Sequence, residues 1–268
     1  MKIDLEKKVR RYVKRIYSYV IGQKQKHIIS IPDQARFGNL LYFYLQSYIH
    51  QKENLYFLHT ITMDYWLKYF PNFSQFVVYP KDFKKFDNID WLPHYFQEFG
   101  KDFTKKDLNN FIREVVFTND FFSHIKTEEK TVINIRRGDF YIGDKTTASS
   151  FDQIKYVKKV IALHPQIFNC KIEIVSDDIN WCKENLKLPY ENIIYKENSS
   201  PIEDFISICT AKNLVATNST FSYWGGYICG YLQKGNLVIA PNFGATLFKN
   251  KLAHQVDPEW IIIDVLEE

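Results

Sequence analysis

Long apolar runs are missing from this 268-residue chain: no stretch of eighteen apolar residues occurs, and the N-terminus lacks the apolar core of a signal peptide. Neither membrane spanning nor export is therefore expected, and the cytosol is the expected compartment. Cysteine is scarce. Cys170, Cys182, Cys209 and Cys229 show no C-x-x-C spacing, which speaks against a zinc or dithiol site and predicts reduced thiols packed as small hydrophobes. Internal repeats and low-complexity linkers are absent too. A basic folded face is also missing. Residues 1–26 hold nine Lys/Arg against Asp4 and Glu6, a local net charge of +7 in a chain of net +4, so the remainder carries −3. A nucleic-acid binder spreads positive charge over its folded surface, so no nucleic-acid partner is expected.

What the chain has in excess is aromatic residues, 18 Tyr and 22 Phe. They suit stacking on sugars or bases, and more simply an aromatic-rich core. The basic start places Leu5, Val9, Tyr12, Val13, Ile16 and Tyr17 on one side of a predicted amphipathic helix within residues 1–26. Such a helix suits peripheral contact with an anionic membrane, on its inner face, or a solvated cap on the domain.

"HIISI" reads as a strand, "FGNLLYFYLQSYIHQKEN" as a helix and "LYFLH" as a strand, an αβ opening. Residues 60–126 show few clear periods. From Thr131 the rhythm is regular: strands "TVINI", "KIEIVS", "NIIYK", "NLVAT" and "NLVIA" alternate with helices near 150–163, 179–187, 201–211 and 221–232. That alternation predicts an α/β chain with a parallel, doubly wound sheet whose ligands sit at the carboxyl ends of its strands.

Three loops at those ends carry chemistry. Arg136, Arg137, Gly138 and Asp139 follow the first strand; arginine suits bidentate recognition of phosphate, although a surface ion pair with Asp139 explains the tetrapeptide alone. Ser176, Asp177 and Asp178 end another strand. One carboxylate suffices as a helix cap, which leaves a spare for a base edge or ribose. Asn218, Ser219 and Thr220 precede a helix whose free N–H groups suit an anion, or they are simple caps; Gly225, Gly226 and Gly230 are expected to allow close helix packing. Together the loops describe a nucleotide-diphosphate pocket.

In these residues the chain resembles the α-1,2-fucosyltransferase family of inverting, GT-B-like glycosyltransferases, with the hallmark H-x-R-R-G-D-[YF]. "NIRRGDF" stands for it here, followed by "VSDDINWC" and "NSTFSYW"; "ARFGN" (35–39) and "PEWII" (258–262) match the outer blocks. The resemblance implies two Rossmann-like halves, an acceptor-side half over 27–128 and a nucleotide-sugar-binding half over 129–268 containing the donor site. It implies transfer of L-fucose from GDP-fucose, with inversion, to a galactose-type hydroxyl of a surface glycan or its lipid-linked precursor in a bacterial cell. Arg136 would hold the donor diphosphate, with Ser219 and Thr220 assisting and Asn218 in the same loop. Asp178 would read guanine. Arg137, Gly138 and Asp139 would shape the loop, and Arg36 and Asn39 would face the cleft. The family's guanine-contacting histidine is Asn134 here, which can still donate and accept hydrogen bonds.

A nucleoside diphosphate leaving an oxocarbenium-like sugar gathers negative charge that Arg136 can meet. No Asp-x-Asp occurs in the sequence, so no metal and no cofactor besides the donor substrate are expected. For the base that takes the acceptor proton, Asp139, Asp144, His27, His50 and His59 are candidates. Two alternatives stay open: another nucleotide sugar as donor, and a non-catalytic nucleotide-sugar-binding protein.

Overall fold

The computed structural model describes residues 12–13, 25–142, 145–246 and 249–266. The chain divides into two compact units, Met1–Phe96 with Arg113–Asn119, and Gln97–Ile112 with Asp120–Glu268. Of the basic segment 1–26, only Tyr12, Val13, Gln25 and Lys26 are described, so the predicted amphipathic helix lies almost wholly outside the described residues, as does Asp144.

In the first unit β1 (His27–Ser30) leads to α1 (Phe37–Ile49), β2 (Leu55–Leu58), α2 (Ile61–Leu67), β3 (Val77–Val78) and β4 (Asn88–Trp91). The strands form one parallel sheet in the order β3-β2-β1-β4. Most of α1 is buried, because its aromatic residues find ring partners: Phe37 stacks on Trp66 at 3.5 Å between centroids, Phe43 on Phe57 at 5.0 Å, and Tyr44 packs on Phe73 at 4.8 Å. Eight of the Tyr and Phe residues, Phe37, Tyr42, Phe43, Tyr44, Phe57, Phe70, Phe73 and Phe76, are buried in this core. Residues 60–126 gave no clear period because their elements are short: a seven-residue helix, a six-residue 3-10 turn and a two-residue strand.

In the second unit α3 (Lys105–Phe111) is closed by a capping box between Thr104 and Asp107, and α4 (Asp120–Ser123) leads to β5 (Glu128–Ile135). Residues 97–112 and 120–128, expected in the N-terminal half, belong to this unit instead. Lys105 bonds buried Asp257, Phe99 N–H donates to the His254 carbonyl, and Phe103 meets Tyr227 edge-on. A small hairpin, β6 (Tyr141–Ile142) and β7 (Lys145–Thr146), follows β5. Then come α5 (Gln153–Leu163), β8 (Lys171–Ser176), α6 (Ile179–Asn185), β9 (Ile193–Tyr195) and α7 (Pro201–Cys209). The chain continues through β10 (Ala211–Val215), α8 (Thr220–Leu232), β11 (Leu237–Pro241) and β12 (Ile261–Ile263).

The six strands are all parallel, in the order β12-β11-β10-β5-β8-β9. Three successive strands, β5, β8 and β9, run outward one way and the next three run the other, so the order reverses between β5 and β10. Such a switch point leaves a crevice at the strands' carboxyl ends, where ligands of open α/β sheets bind. Val132, Ile133, Ile174, Leu214, Val215 and Ile239 are fully buried, as strands covered on both faces require. The Tyr156 hydroxyl of α5 donates to the carbonyls of Ala216 (2.8 Å) and Ile239 (3.1 Å), which ties α5 to the exit of β10 and the middle of β11.

Observed helices start and stop within two residues of the expected limits from 153 onward, except α5, which starts three residues late. Strand β10 lies two residues earlier than "NLVAT" because Ala211 pairs with Glu128 across a register shift, while Ala216 and Thr217 already leave the ladder. Gly225 and Gly226 do serve helix packing: a Cβ would come within 2.2 Å of Ile208 and 2.8 Å of Trp260, respectively. Gly230 does not, since no atom of the described residues lies within 4 Å of an added Cβ.

Candidate active site

Arg136 is the first residue beyond β5 and stands beside the switch point. Its Nη1 lies 2.6 Å from Asp177 Oδ2, beyond the neighbouring strand β8, and its Nη2 lies 2.6 Å from Asp139 Oδ1 in its own loop. The Arg136 carbonyl accepts from Gln153 Nε2 at 2.6 Å, so α5 holds the backbone there. Both flanking carboxylates are thus used on one guanidinium.

Arg137 turns the other way. Its backbone N–H donates to Asp177 Oδ1 at 2.8 Å, and its guanidinium sits between the rings of Tyr141 and Trp181, 3.7 and 3.9 Å from their centroids. This two-sided cation–π arrangement anchors the loop to α6. Gly138 then makes room: a Cβ there would stand 2.4 Å from Asp177 Oδ2.

The question of which aspartate caps α6 is decided by geometry. Asp178 Oδ1 accepts the Trp181 N–H at 3.1 Å, and its own N–H donates to Ser176 Oγ at 3.0 Å. The spare carboxylate is Asp177, spent on the arginine pair. One turn into α6, burial pushes the Cys182 thiol up to about 11, the carboxylates of Asp178 and Asp177 adding to the effect while the Ser176 hydrogen bond opposes it.

Asn134, near the end of β5, is buried and bonded on both sides. Its Nδ2 donates to the Val175 carbonyl of β8 at 2.9 Å, and its Oδ1 accepts from Ser222 Oγ in the first turn of α8. It therefore ties together the exits of all three loops. Beyond β10, Asn218 Nδ2 donates to the carbonyls of Ser149 and Gly244, each at 2.8 Å, and its buried Oδ1 has no hydrogen-bond partner among the described residues. Ser219 is the N-cap of α8, accepting from Phe221 N–H at 3.3 Å, and Thr220 is the first residue of that thirteen-residue helix. Free amides at such a terminus favour an anion.

Among the sequence-predicted residues, Arg136, Arg137, Asp139, Asp177, Asp178, Asn134, Asn218, Ser219 and Thr220 all lie at the carboxyl ends of β5, β8 and β10. Arg36 and Asn39 belong to the first unit, where Arg36 is the exposed N-cap of α1. Of the histidines there, His27 begins β1 and pairs with Asp90 (3.2 Å), and His50 follows α1 and meets Glu53. His59 alone of the three follows the carboxyl end of a strand; it bonds Asp64 at 2.7 Å and stacks on Tyr79. Sequence reasoning missed Tyr141, Gln153, Trp181 and Ser222. Trp181 and Ser222 sit three residues after the helix caps Asp178 and Ser219, a spacing that turns a side chain back over the cap.

No helix among the described residues is long and apolar enough to cross a membrane, and no group of three His, Cys, Asp or Glu among them could hold a metal ion. The sequence pattern of glycosyl transferase family 11 matches residues 46–264, a span containing the three loops. The chain belongs to glycosyl transferase family 11. An α-1,2-colitosyltransferase of Escherichia coli is 26% identical over 159 residues, 52% of this chain and 49% of that protein. The match thus spans about half the length of that curated relative. Among solved structures, the family 11 chain is similar to the E. coli heptosyltransferase WaaC with ADP, with a TM-score of 0.39 and 10% identity over 88% of this chain and 90% of the other.

Proposed function

We propose that this family 11 protein is an inverting glycosyltransferase that moves L-fucose from GDP-fucose to a galactose-type hydroxyl of a surface glycan or its lipid-linked precursor, without a metal ion. The observation that carries the reading is the position of Arg136: the first residue beyond β5, at the topological switch point and fixed by Asp177 from the next strand. The acceptor oxygen attacks the anomeric carbon from the face opposite the diphosphate, the bond from that carbon to the phosphate oxygen breaks, and its electron pair stays on the phosphate. A preorganised guanidinium stabilises that developing charge without having to reorient. The amide groups at the start of α8 lend the same sign of field. The acceptor proton passes to a base, for which Asp139, Asp144, His27, His50 and His59 are the candidates in the sequence.

A second donor is favoured by the E. coli relative, whose name specifies colitosyl transfer. In that reading the pocket is the same and the nucleotide carries colitose in place of fucose. Both are tested by incubating the protein in EDTA with a panel of GDP- and UDP-sugars and galactose-terminated acceptors. Release of GDP with an inverted anomeric product by NMR is expected. Donor binding without turnover on any acceptor would favour a binding protein.

For residues 1–26, with a net charge of +7, we propose peripheral attachment at the inner face of the membrane. Flotation with anionic liposomes should recover the full chain and not a form lacking those residues.

A further inference from the structure

The two carboxylates on Arg136 are held unequally. Asp177 is fixed at three points: Oδ2 on Arg136 Nη1, Oδ1 on the Arg137 N–H, and the carboxylate packed against Gly138. Among the described residues Asp139 has a single bond, to Arg136 Nη2, within its own loop, and its side chain is 54% exposed against 29% for Asp177. The charges at the three loops are also unbalanced for an anion. Arg136 and Arg137 supply two positive charges, while Asp139, Asp177 and Asp178 supply three negative ones. Arg137 is, moreover, sandwiched between Tyr141 and Trp181. A diphosphate approaching Arg136 therefore meets a guanidinium already neutralised on both sides and an exposed carboxylate of its own sign.

We propose that Asp139 is a displaceable counter-ion and Asp177 a positioning residue: the nucleotide's diphosphate takes the place of Asp139 on Nη2, while Asp177 keeps Nη1 in register. This rests on the reading that Arg136 holds a nucleotide diphosphate. Asp139 is the partner that leaves because a single exposed ion pair contributes little and its release exposes nothing buried. Asp177 stays because its departure strands the Arg137 N–H and frees the guanidinium to rotate. The exchange also runs backward. After transfer, Asp139 competes for Nη2 and lowers affinity for the leaving nucleoside diphosphate, which helps the site to empty.

The test is calorimetry with GDP on the full-length wild type, Asp139→Asn and Asp177→Asn, together with guanosine binding by saturation-transfer NMR; UDP and uridine replace these if the wild type prefers them. Asn at 177 can still accept the Arg137 N–H, so that variant removes the ion pair and leaves the loop its hydrogen bond. Asp139→Asn should bind GDP about two- to fivefold more tightly. Asp177→Asn should bind it about tenfold or more weakly. Guanosine affinity should stay within about twofold in both, since the effect acts on phosphate through Arg136. Unchanged or weaker GDP binding by Asp139→Asn, tighter binding by Asp177→Asn, or equal shifts for guanosine would overturn the exchange. A wild type that binds neither GDP nor UDP would overturn the functional reading itself, a different signature.

Discussion

Gly138 and Asp177 lie so close that a methyl group added to the glycine would stand 2.4 Å from the carboxylate oxygen that holds Arg136. The glycine of the R-R-G-D stretch is thus required by sterics across two strand ends, and not by a left-handed backbone.

Gly138→Ala should therefore act on the site more than on the fold. Overpacking of this kind costs about 1–3 kcal/mol, and here it is relieved most easily by pushing Asp177 off Arg136. The expected result is a small loss of melting temperature with a loss of GDP affinity as large as that of Asp177→Asn. A variant with wild-type GDP affinity would show that the two residues do not work together.

The sheet has a buried charge cluster away from the site, and it makes a pH prediction. Burial alone would raise the Glu173 carboxyl, but hydrogen bonds from Lys171 and Ser207 and the Lys130 ammonium at 3.1 Å outweigh it and hold the group at about 2. A folded-state value below the unfolded one, about 4.3, contributes stability that is fully present above the unfolded value and is lost as pH falls through the folded one. Urea unfolding should show the wild type losing this contribution between about pH 4.3 and pH 2. Glu173→Gln should be less stable at pH 7 by roughly 3–5 kcal/mol, because buried Lys130 then keeps only the more exposed Glu128 as a charged partner beside the neutral Ser207 hydroxyl, and its profile should be flatter in that acid window.

Thiol reactivity tests the packing of the second unit. Cys182, Cys209 and Cys229 are buried, and burial pushes their thiols up, to about 11 for Cys182 and about 12 for Cys229. Cys170 is half-buried. A disulfide reagent at pH 8 should therefore modify one cysteine in the native protein and four after denaturation, with Cys170 identified by mass spectrometry. Rapid modification of a second thiol in the native state would contradict this packing.

Much of the second unit was legible in the sequence because its strands are uninterrupted apolar runs closed by polar turns, as in "KIEIVS" before Asp177 and "TVINI" before Arg136. The sites at the strand ends followed from that alternation. What could not be read was pairing across the sheet. Nothing in "SDD" says that Asp178 takes the helix cap and Asp177 the arginines; that depends on β8 lying beside β5. Tyr141 and Trp181 are forty residues apart and meet only through Arg137 between them. In the first unit, β3 is two residues long and α2 seven, too short for a period to show. The assignment of 97–112 to the second unit rests on contacts such as Lys105 with Asp257, some 150 residues away.

The central claim is that a guanidinium at the end of β5 meets the charge of a departing diphosphate. Its most direct test is the turnover of GDP-fucose, or of whichever nucleotide sugar the donor panel selects, by wild type and Arg136→Ala in the presence of EDTA. Removing one preorganised electrostatic stabiliser typically costs about a hundred- to a thousand-fold in turnover. The wild type should remain active in EDTA, and Arg136→Ala should fall by at least about a hundredfold while keeping its melting temperature. A folded Arg136→Ala protein that transfers sugar at near wild-type rate would contradict the account.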